Sequence, residues 1–405
     1  MSLTELVERA QGLFSERFGA WAEVAGVAPG RVEILGNHTD YNRGFVLAAA
    51  VDRHVVVAGR AVSGGTRPAG GKETPAPGPT ARIYSAAHNA EARFSLAAME
   101  RDSSAPWCDY VKGVAKELQE TGARLPGFEA AIVGDVPLGA GLSSSAAIEV
   151  ATAKFLLGLR PFPLPDRELA LLCRRAENRF VGAPCGILDP WTSVHGRANA
   201  LLLLDCRRLS HEMLPLSESL SLVVADTRTG HSLVESPYNV RRAACLRAAE
   251  ILCSRKSGAA HLCDFTGEEL NRLEAHLPPD LRPLARHVIL ENERVLRGAE
   301  ALRKNDPELL GRLMSESHAS SRERFKNSTP ELDLLVELAV KIPGCYGSRL
   351  TGAGFGGATI HLVSALEAAP FAEALSLRYQ RVVGAEPALA ICRAADGART
   401  ERILP

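Results

Sequence analysis

The 405-residue chain carries no excess charge of either sign, with 47 Lys plus Arg against 47 Asp plus Glu. That balance argues against nucleic acid or an anionic membrane as the main partner, while leaving room for a local basic patch. No run of about 18 apolar residues is present, so a membrane-spanning helix is not expected. The N-terminus, MSLTELVERAQGLFSERFG, is charged throughout and offers no secretory apolar core. Nine cysteines are scattered from Cys108 to Cys392 without a C-x-x-C pair. An odd, scattered set predicts free thiols in a reducing compartment, hence the cytoplasm, and neither a disulfide framework nor a zinc site. The remaining composition, 46% hydrophobic and 23% charged, is that of an ordinary globular protein long enough for two or three domains.

The stretch around which the chain is organised is PLGAGLSSSAA, residues 137–147. It lacks the Gly-Lys-Ser/Thr of a Walker A loop and the later Gly-x-x-Gly spacing of a dinucleotide fingerprint. What it has is Pro137, Gly139, Ala140, Gly141 and Leu142 in a short turn, then Ser143, Ser144 and Ser145 at the head of a helix-forming run. An apolar, strand-like segment, Ala130–Val136, precedes it. Glycine lets backbone approach a ligand closely, and free N–H groups at a helix start favour an anion. Serine hydroxyls add donors and can ligate a hard cation. The pattern therefore suits nucleotide phosphates; taken alone it also suits a turn with an N-cap.

Along the chain, residues 3–19 predict an amphipathic helix, and Val32–Leu35, Phe45–Ala50 and His54–Ala58 predict strands. Between the first two lies a polar loop, 36–44, containing Asn37, His38 and Asp40, with Arg31 just upstream. Apolar strands holding such a loop suggest presented chemistry, although Asp, Asn and Gly also make ordinary hairpin turns. The Gly/Pro-rich stretch 63–79 predicts a flexible surface insertion, followed by a strand at Ala81–Ser85. SSAPWCDYVKGVAKEL predicts an N-capped helix; its Trp107 is either core or a surface for a base to stack on. Helices are expected at about 145–157 and 166–180, the second with Glu177. In VGAPCGILDPWTSVHG the glycines and prolines break a continuous helix, and Asp189 is a lone acid among apolar neighbours, either paired or functional. The strand Asn199–Asp205 places a domain boundary near residue 200, dividing the chain into 1–200 and 201–405. The second half opens with a strand, Leu220–Asp226, and a polar loop entering a helix at Tyr238. It becomes mainly helical over 266–325 and then reaches a glycine-rich loop with Gly352, Gly354, Gly356 and Gly357. That loop suits close packing on a ligand or a bulged strand entry equally.

Three separated motifs now stand in order: GRVEILGNHTDYNRGFVL, PLGAGLSSSAA and GSRLTGAGFGGA. Together they resemble the signature motifs of the GHMP small-molecule kinases, and the first resembles the galactokinase signature in particular. PWCDYVKGV, RRAENRFVGAPCGILDP and SPYNVRR fit between them, so the resemblance spans nearly the whole chain. It implies an α+β, two-domain GHMP kinase fold, with a ferredoxin-like C-terminal domain and the active site in the cleft. It implies transfer of the ATP γ-phosphate to the anomeric hydroxyl of galactose, with Mg²⁺. By position, PLGAGLSSSAA matches the phosphate loop, Ser144 and Glu177 the Mg²⁺ ligands, Asp189 the acid facing the sugar hydroxyl and Arg31 the cation beside it. Asn37, His38, Asp40, Gly186 and Tyr238 match sugar contacts, and Trp107 the adenine-side aromatic. The implied partners are a small sugar and ATP, with neither nucleic acid nor membrane, and a monomer is expected, a dimer being the alternative.

The chain departs from that pattern at Asn37, where galactokinases carry a Glu that meets the sugar near C6. Losing a carboxylate removes a strong acceptor and a repulsion against anionic sugars, so the substrate is either galactose, held by the amide, or a C6-modified analogue such as galacturonate. N-acetylgalactosamine, a different GHMP substrate and a non-catalytic sugar-and-ATP sensor are the remaining readings. Pro190 stands where Gln is usual, and Gly230 where an Arg is common. Arg31, Ser144, Glu177 and Asp189 are all present, which favours an enzyme over a sensor.

Overall fold

In the computed structural model, residues 1–62, 78–137, 141–183, 185–228 and 238–403 are described. Most of the expected 63–79 insertion, together with Gly139, Ala140 and Gly230, lies outside them.

The first sheet is built from β1 (Val24–Leu35), β2 (Phe45–Val62), β3 (Thr80–Ser85), β4 (Ala90–Ser95), β5 (Gly127–Gly134), β6 (Ala200–Asp205) and β7 (Ser210–Pro215). The two segments expected at 45–50 and 54–58 are one strand: β2 continues through Asp52 and Arg53, where its register against β1 shifts, and its valines and alanines pair with β1 on one side and β5 on the other. A last strand, β12 (Arg399–Arg402), returns to pair with the start of β1. The boundary expected at residue 200 thus falls inside this sheet, because β6 pairs with β2 and β7 with β6.

The second sheet holds β8 (Leu220–Asp226), β9 (Cys345–Thr351), β10 (Ala358–Ser364) and β11 (Ala388–Cys392), in the order β11-β8-β10-β9, all antiparallel. Helices lie between β8 and β9 and, as Ala368–Val383, between β10 and β11. This is the β-α-β-β-α-β succession of a ferredoxin-like unit.

Helix Ser144–Leu159 packs into the core that also holds β1, with Val150, Ala151, Phe155 and Leu156 fully buried. Its residues are apolar on nearly every face, as a helix covered on all sides requires. The expected helix at 166–180 is α-helical over Asp166–Arg175 and continues as a π-helical segment, Ala176–Val181. Such segments often mark functional sites, and this one carries Glu177. The helix after SSAPWC starts at Asp109 with no side-chain cap; the serine cap that the sequence suggests does not form, and Ser104 Oγ donates to Asp102 instead. All nine cysteines are free.

Candidate functional site

Arg31 and Glu33 sit two residues apart on β1, so both face the same side of the sheet. Arg31 makes a two-point contact with Asp189: Nε donates to Oδ1 at 2.7 Å and Nη2 to Oδ2 at 2.7 Å. Its third arm, Nη1, donates to the Gly141 carbonyl at 2.6 Å. Bidentate pairs of this kind fix orientation as well as charge. Asp189 occupies the first turn of helix Leu188–His195, where Pro190 is tolerated because the first-turn N–H groups have no helical partner.

Ser143 precedes the central helix in a left-handed conformation, φ 53°. Its hydroxyl donates to Asp189 Oδ2 at 2.5 Å. The serine cluster therefore touches the acid directly, a link that separates the motifs by 46 residues of sequence. Ser145 and Glu177 line the same cavity wall. Glu177 is buried, its Oε2 has no hydrogen-bond partner, and its pKa is raised to about 7, chiefly by burial and by the charge of Asp189. Behind it Glu149 is wholly buried with both carboxylate oxygens unpartnered, and burial together with Glu177 pushes its carboxyl well up. Three carboxylates thus converge where Arg31 is the cation already committed.

All of these groups except Glu149 line one cavity of about 280 Å³, a scale suited to a small molecule. The lining brings together Arg31, Asn37, His38, Asp40, Gly141, Leu142, Ser143, Ser144, Ser145, Glu177, Gly186, Asp189, Tyr238, Gly352, Gly354 and Gly356. Pro137 is not part of the wall. Trp107 is also elsewhere: it is buried in the core and stacks on His88 with ring centroids 5.6 Å apart.

Gly186 is required by contact, since any Cβ there would overlap the Asp40 carboxylate. Burial raises Asp40 to about 6, the Tyr41 backbone N–H opposing. His38 is held neutral, lowered to about 3 by burial and by His287, and stacks on Phe325 at 4.2 Å. Asn37 does not point a free amide into the cavity. Its Nδ2 donates to Gly352 O at 2.7 Å and to Glu33 Oε1 at 3.2 Å, and its Oδ1 accepts from Asn327 Nδ2 at 2.8 Å. The glycine-rich loop is thereby tied to the first motif, and Gly354 packs on Asn327 so closely that a Cβ would overlap its carbonyl.

Glu33, Tyr110, Glu149, Asn327 and Arg349 belong to this region and were not singled out from the sequence. An acid inside the apolar strand RVEIL and an arginine inside SRLTG were the available signals.

Residues 12–61 match the galactokinase galactose-binding signature, residues 109–197 the GHMP kinases N-terminal domain and residues 299–381 the GHMP kinases C-terminal region. The chain is 42% identical to a galactokinase of Roseiflexus sp. (strain RS-1), covering 97% of this chain and 96% of that one. It is 39% identical to the Homo sapiens galactokinase over 98% and 97% of the two chains. Among solved structures, Lactococcus lactis galactokinase complexed with galactose superposes with a TM-score of 0.89 at 30% identity, covering 98% of this chain and all of that one. A mevalonate kinase shares the fold at a TM-score of 0.61 and 16% identity.

Proposed function

Because the chain belongs to the galactokinase family of GHMP kinases, we propose that it transfers the γ-phosphate of ATP to the anomeric hydroxyl of galactose, giving galactose 1-phosphate and ADP. The observation that carries this reading is the Arg31–Asp189 clamp, held against Ser143 at the head of the central helix and beside Glu177.

Asp189 accepts the hydrogen bond of the sugar hydroxyl and takes its proton as the oxygen attacks phosphorus. Arg31 orients that carboxylate through its two-point contact. The backbone N–H groups at the head of helix Ser144–Leu159 favour the phosphate charge. The buried, unpartnered Oε2 of Glu177 and the hydroxyl of Ser144 form an oxygen donor set that fits Mg²⁺, which takes few protein ligands beside phosphate and water. Bound there, Mg²⁺ would neutralise charge on the transferring phosphate. Asp40, Tyr238 and His38 shape the sugar side of the wall. We take the working unit to be a monomer, a dimer being the alternative, and free cysteines agree with a cytoplasmic setting.

A coupled ADP-release assay with galactose, galacturonate, N-acetylgalactosamine and glucose tests this. The expected result is the highest kcat/KM on galactose. A preference for the uronate, or no ADP release with any sugar, overturns the reading.

A further inference from the structure

Glu33 is an acid in a strand whose every residue is buried. A carboxylate in that setting needs partners or a purpose. Its partners converge on one oxygen: Arg349 Nη1 donates to Oε1 at 2.9 Å and Asn37 Nδ2 donates to the same atom at 3.2 Å. Oε2 receives no hydrogen bond from a described residue, yet it is not sealed off as the oxygens of Glu149 are, and Glu33 lines the cavity. Arg349 is wholly buried and sits behind the carboxylate, its Nη1 also donating to the Ile34 carbonyl. One oxygen is anchored and the other faces the ligand space.

Asn37 complements this. A primary amide has two N–H donors and one oxygen with two acceptor sites. Both donors are spent, on Glu33 and Gly352, and the oxygen accepts from Asn327 and, at 3.4 Å, from Ser321 Oγ. The side chain has no capacity left for a ligand. It acts as a brace that sets the Glu33 carboxylate in position.

We propose that Glu33, not Asn37, supplies the carboxylate that recognises the sugar, accepting a hydrogen bond on Oε2 from a hydroxyl remote from the reacting one. The proposal rests on the galactose reading above and names the group that sets its specificity. Spacing supports it. Arg31 and Glu33 face the cavity from one strand in unbroken register with Ala50 and Ala48. Two residues of strand span about 6.5 Å, the scale of one hexose with its hydroxyls. The Arg31–Asp189 clamp holds the reacting end, which leaves Glu33 the other. Its negative charge also keeps a repulsion against uronates that the Asn at position 37 would otherwise have relaxed.

The test pairs Glu33→Gln with galactose and its 2-, 3-, 4- and 6-deoxy analogues, read as KM, kcat and calorimetric sugar binding, with melting curves of each protein. In the unsubstituted chain one deoxy sugar should bind at least about 10-fold more weakly than galactose, the range expected for a hydrogen bond to a charged group. Glu33→Gln should weaken galactose by a similar factor, leave the KM for ATP within about twofold, and show little further loss with that same deoxy sugar. The double substitution E33N/N37E, which returns the carboxylate to position 37, should recover most of the galactose affinity. It also serves if Glu33→Gln folds poorly with Arg349 unpaired. Equal weakening of galactose and every deoxy sugar by Glu33→Gln, or no deoxy sugar distinguished by the unsubstituted chain, overturns the proposal. Failure of the unsubstituted chain to bind or turn over galactose at all is a separate result, and it overturns the galactose reading together with this one.

Discussion

On the proposed reading, the sugar and phosphate ends of the site, with the acids buried behind them, partner their carboxylates differently. At the sugar end, Glu33 and Glu291 are each matched by a buried arginine, Arg349 at 2.9 Å and Arg294 at 2.7 Å. Glu291 also accepts from Ser317 Oγ at 2.6 Å and from the Gly36 N–H at 2.9 Å, so its carboxyl stays well below the usual range despite burial. At the phosphate end, Glu149, Glu177 and Asp189 crowd together, and Arg31 is spent on Asp189. A neutral sugar needs hydrogen-bonding groups fixed beforehand, and the arginines fix Glu33 and Glu291, while burial raises Glu33 and takes Asp40 to about 6. A nucleotide phosphate needs a cation with it, and its end holds carboxyls that burial pushes toward the protonated form until a cation comes. Buried charge without a partner costs stability, and here that cost sits where catalysis needs it.

The largest way to break this contrast is at Asp189. Replacement by Asn or Ala should lower kcat by about 1,000-fold or more while leaving nucleotide affinity nearly unchanged, measured by steady-state turnover and ATP calorimetry. Near-normal turnover would remove Asp189 from the mechanism.

Next, substitutions at the two ends should change stability in opposite directions. Glu177 ionises near 7 in the folded chain against an ordinary value of 4.5. The unfolded chain therefore loses its proton first, and folding stability falls between about pH 4.5 and 7 and is flat above. Glu177→Gln should raise the stability of the nucleotide-free protein at pH 8 by about 2–3 kcal/mol while cutting kcat on the order of 100-fold. Asn327→Ala, at the sugar end, should instead lower stability by about 1–3 kcal/mol, because it strips partners from Asn37 and the Ala353 carbonyl. Chemical denaturation of the two variants side by side checks the sign of each.

The smallest effect is acid sensitivity. His38 and His361 are lowered to about 3 and His287 to about 4, all chiefly by burial. They stay neutral when folded while the unfolded chain takes up protons below about 6.5, so their stabilisation is full above that pH and is lost as pH falls towards 4. Between pH 7.5 and 6 each should cost roughly 1 kcal/mol or less, read as a falling melting temperature. Glu177 gains stability over part of the same range, so Glu177→Gln should steepen the loss.

Much of this was legible in the sequence. Strands at Ala81–Ser85 and Leu220–Asp226 and the helix from Leu3 appear almost where periodicity places them, because each buries one clear face or run. Local pattern does not say which strand pairs with which, so the return of β12 to β1 and the attachment of β6 to β2 were invisible. The same holds inside the site. Asn37 read as a lost carboxylate because its partner in charge lies four residues earlier, and that partner is secured by an arginine 316 residues away. A resemblance carried position by position reports which residue has changed; it does not report which neighbour has taken over the charge.

Strand β1 illustrates how late this protein is finished. It holds Arg31 and Glu33, yet it pairs along its first residues with Arg399–Arg402, and Glu33 is anchored by Arg349. On a ribosome, the strand emerges before Arg349 and Arg399–Arg402, the partners it waits for, are made. Contacts this distant in sequence close slowly and leave an exposed edge meanwhile. Until Arg349 on β9 is in place, the Glu33 carboxylate has no cation behind it, so one wall of the site is assembled from residues 316 positions apart in the chain.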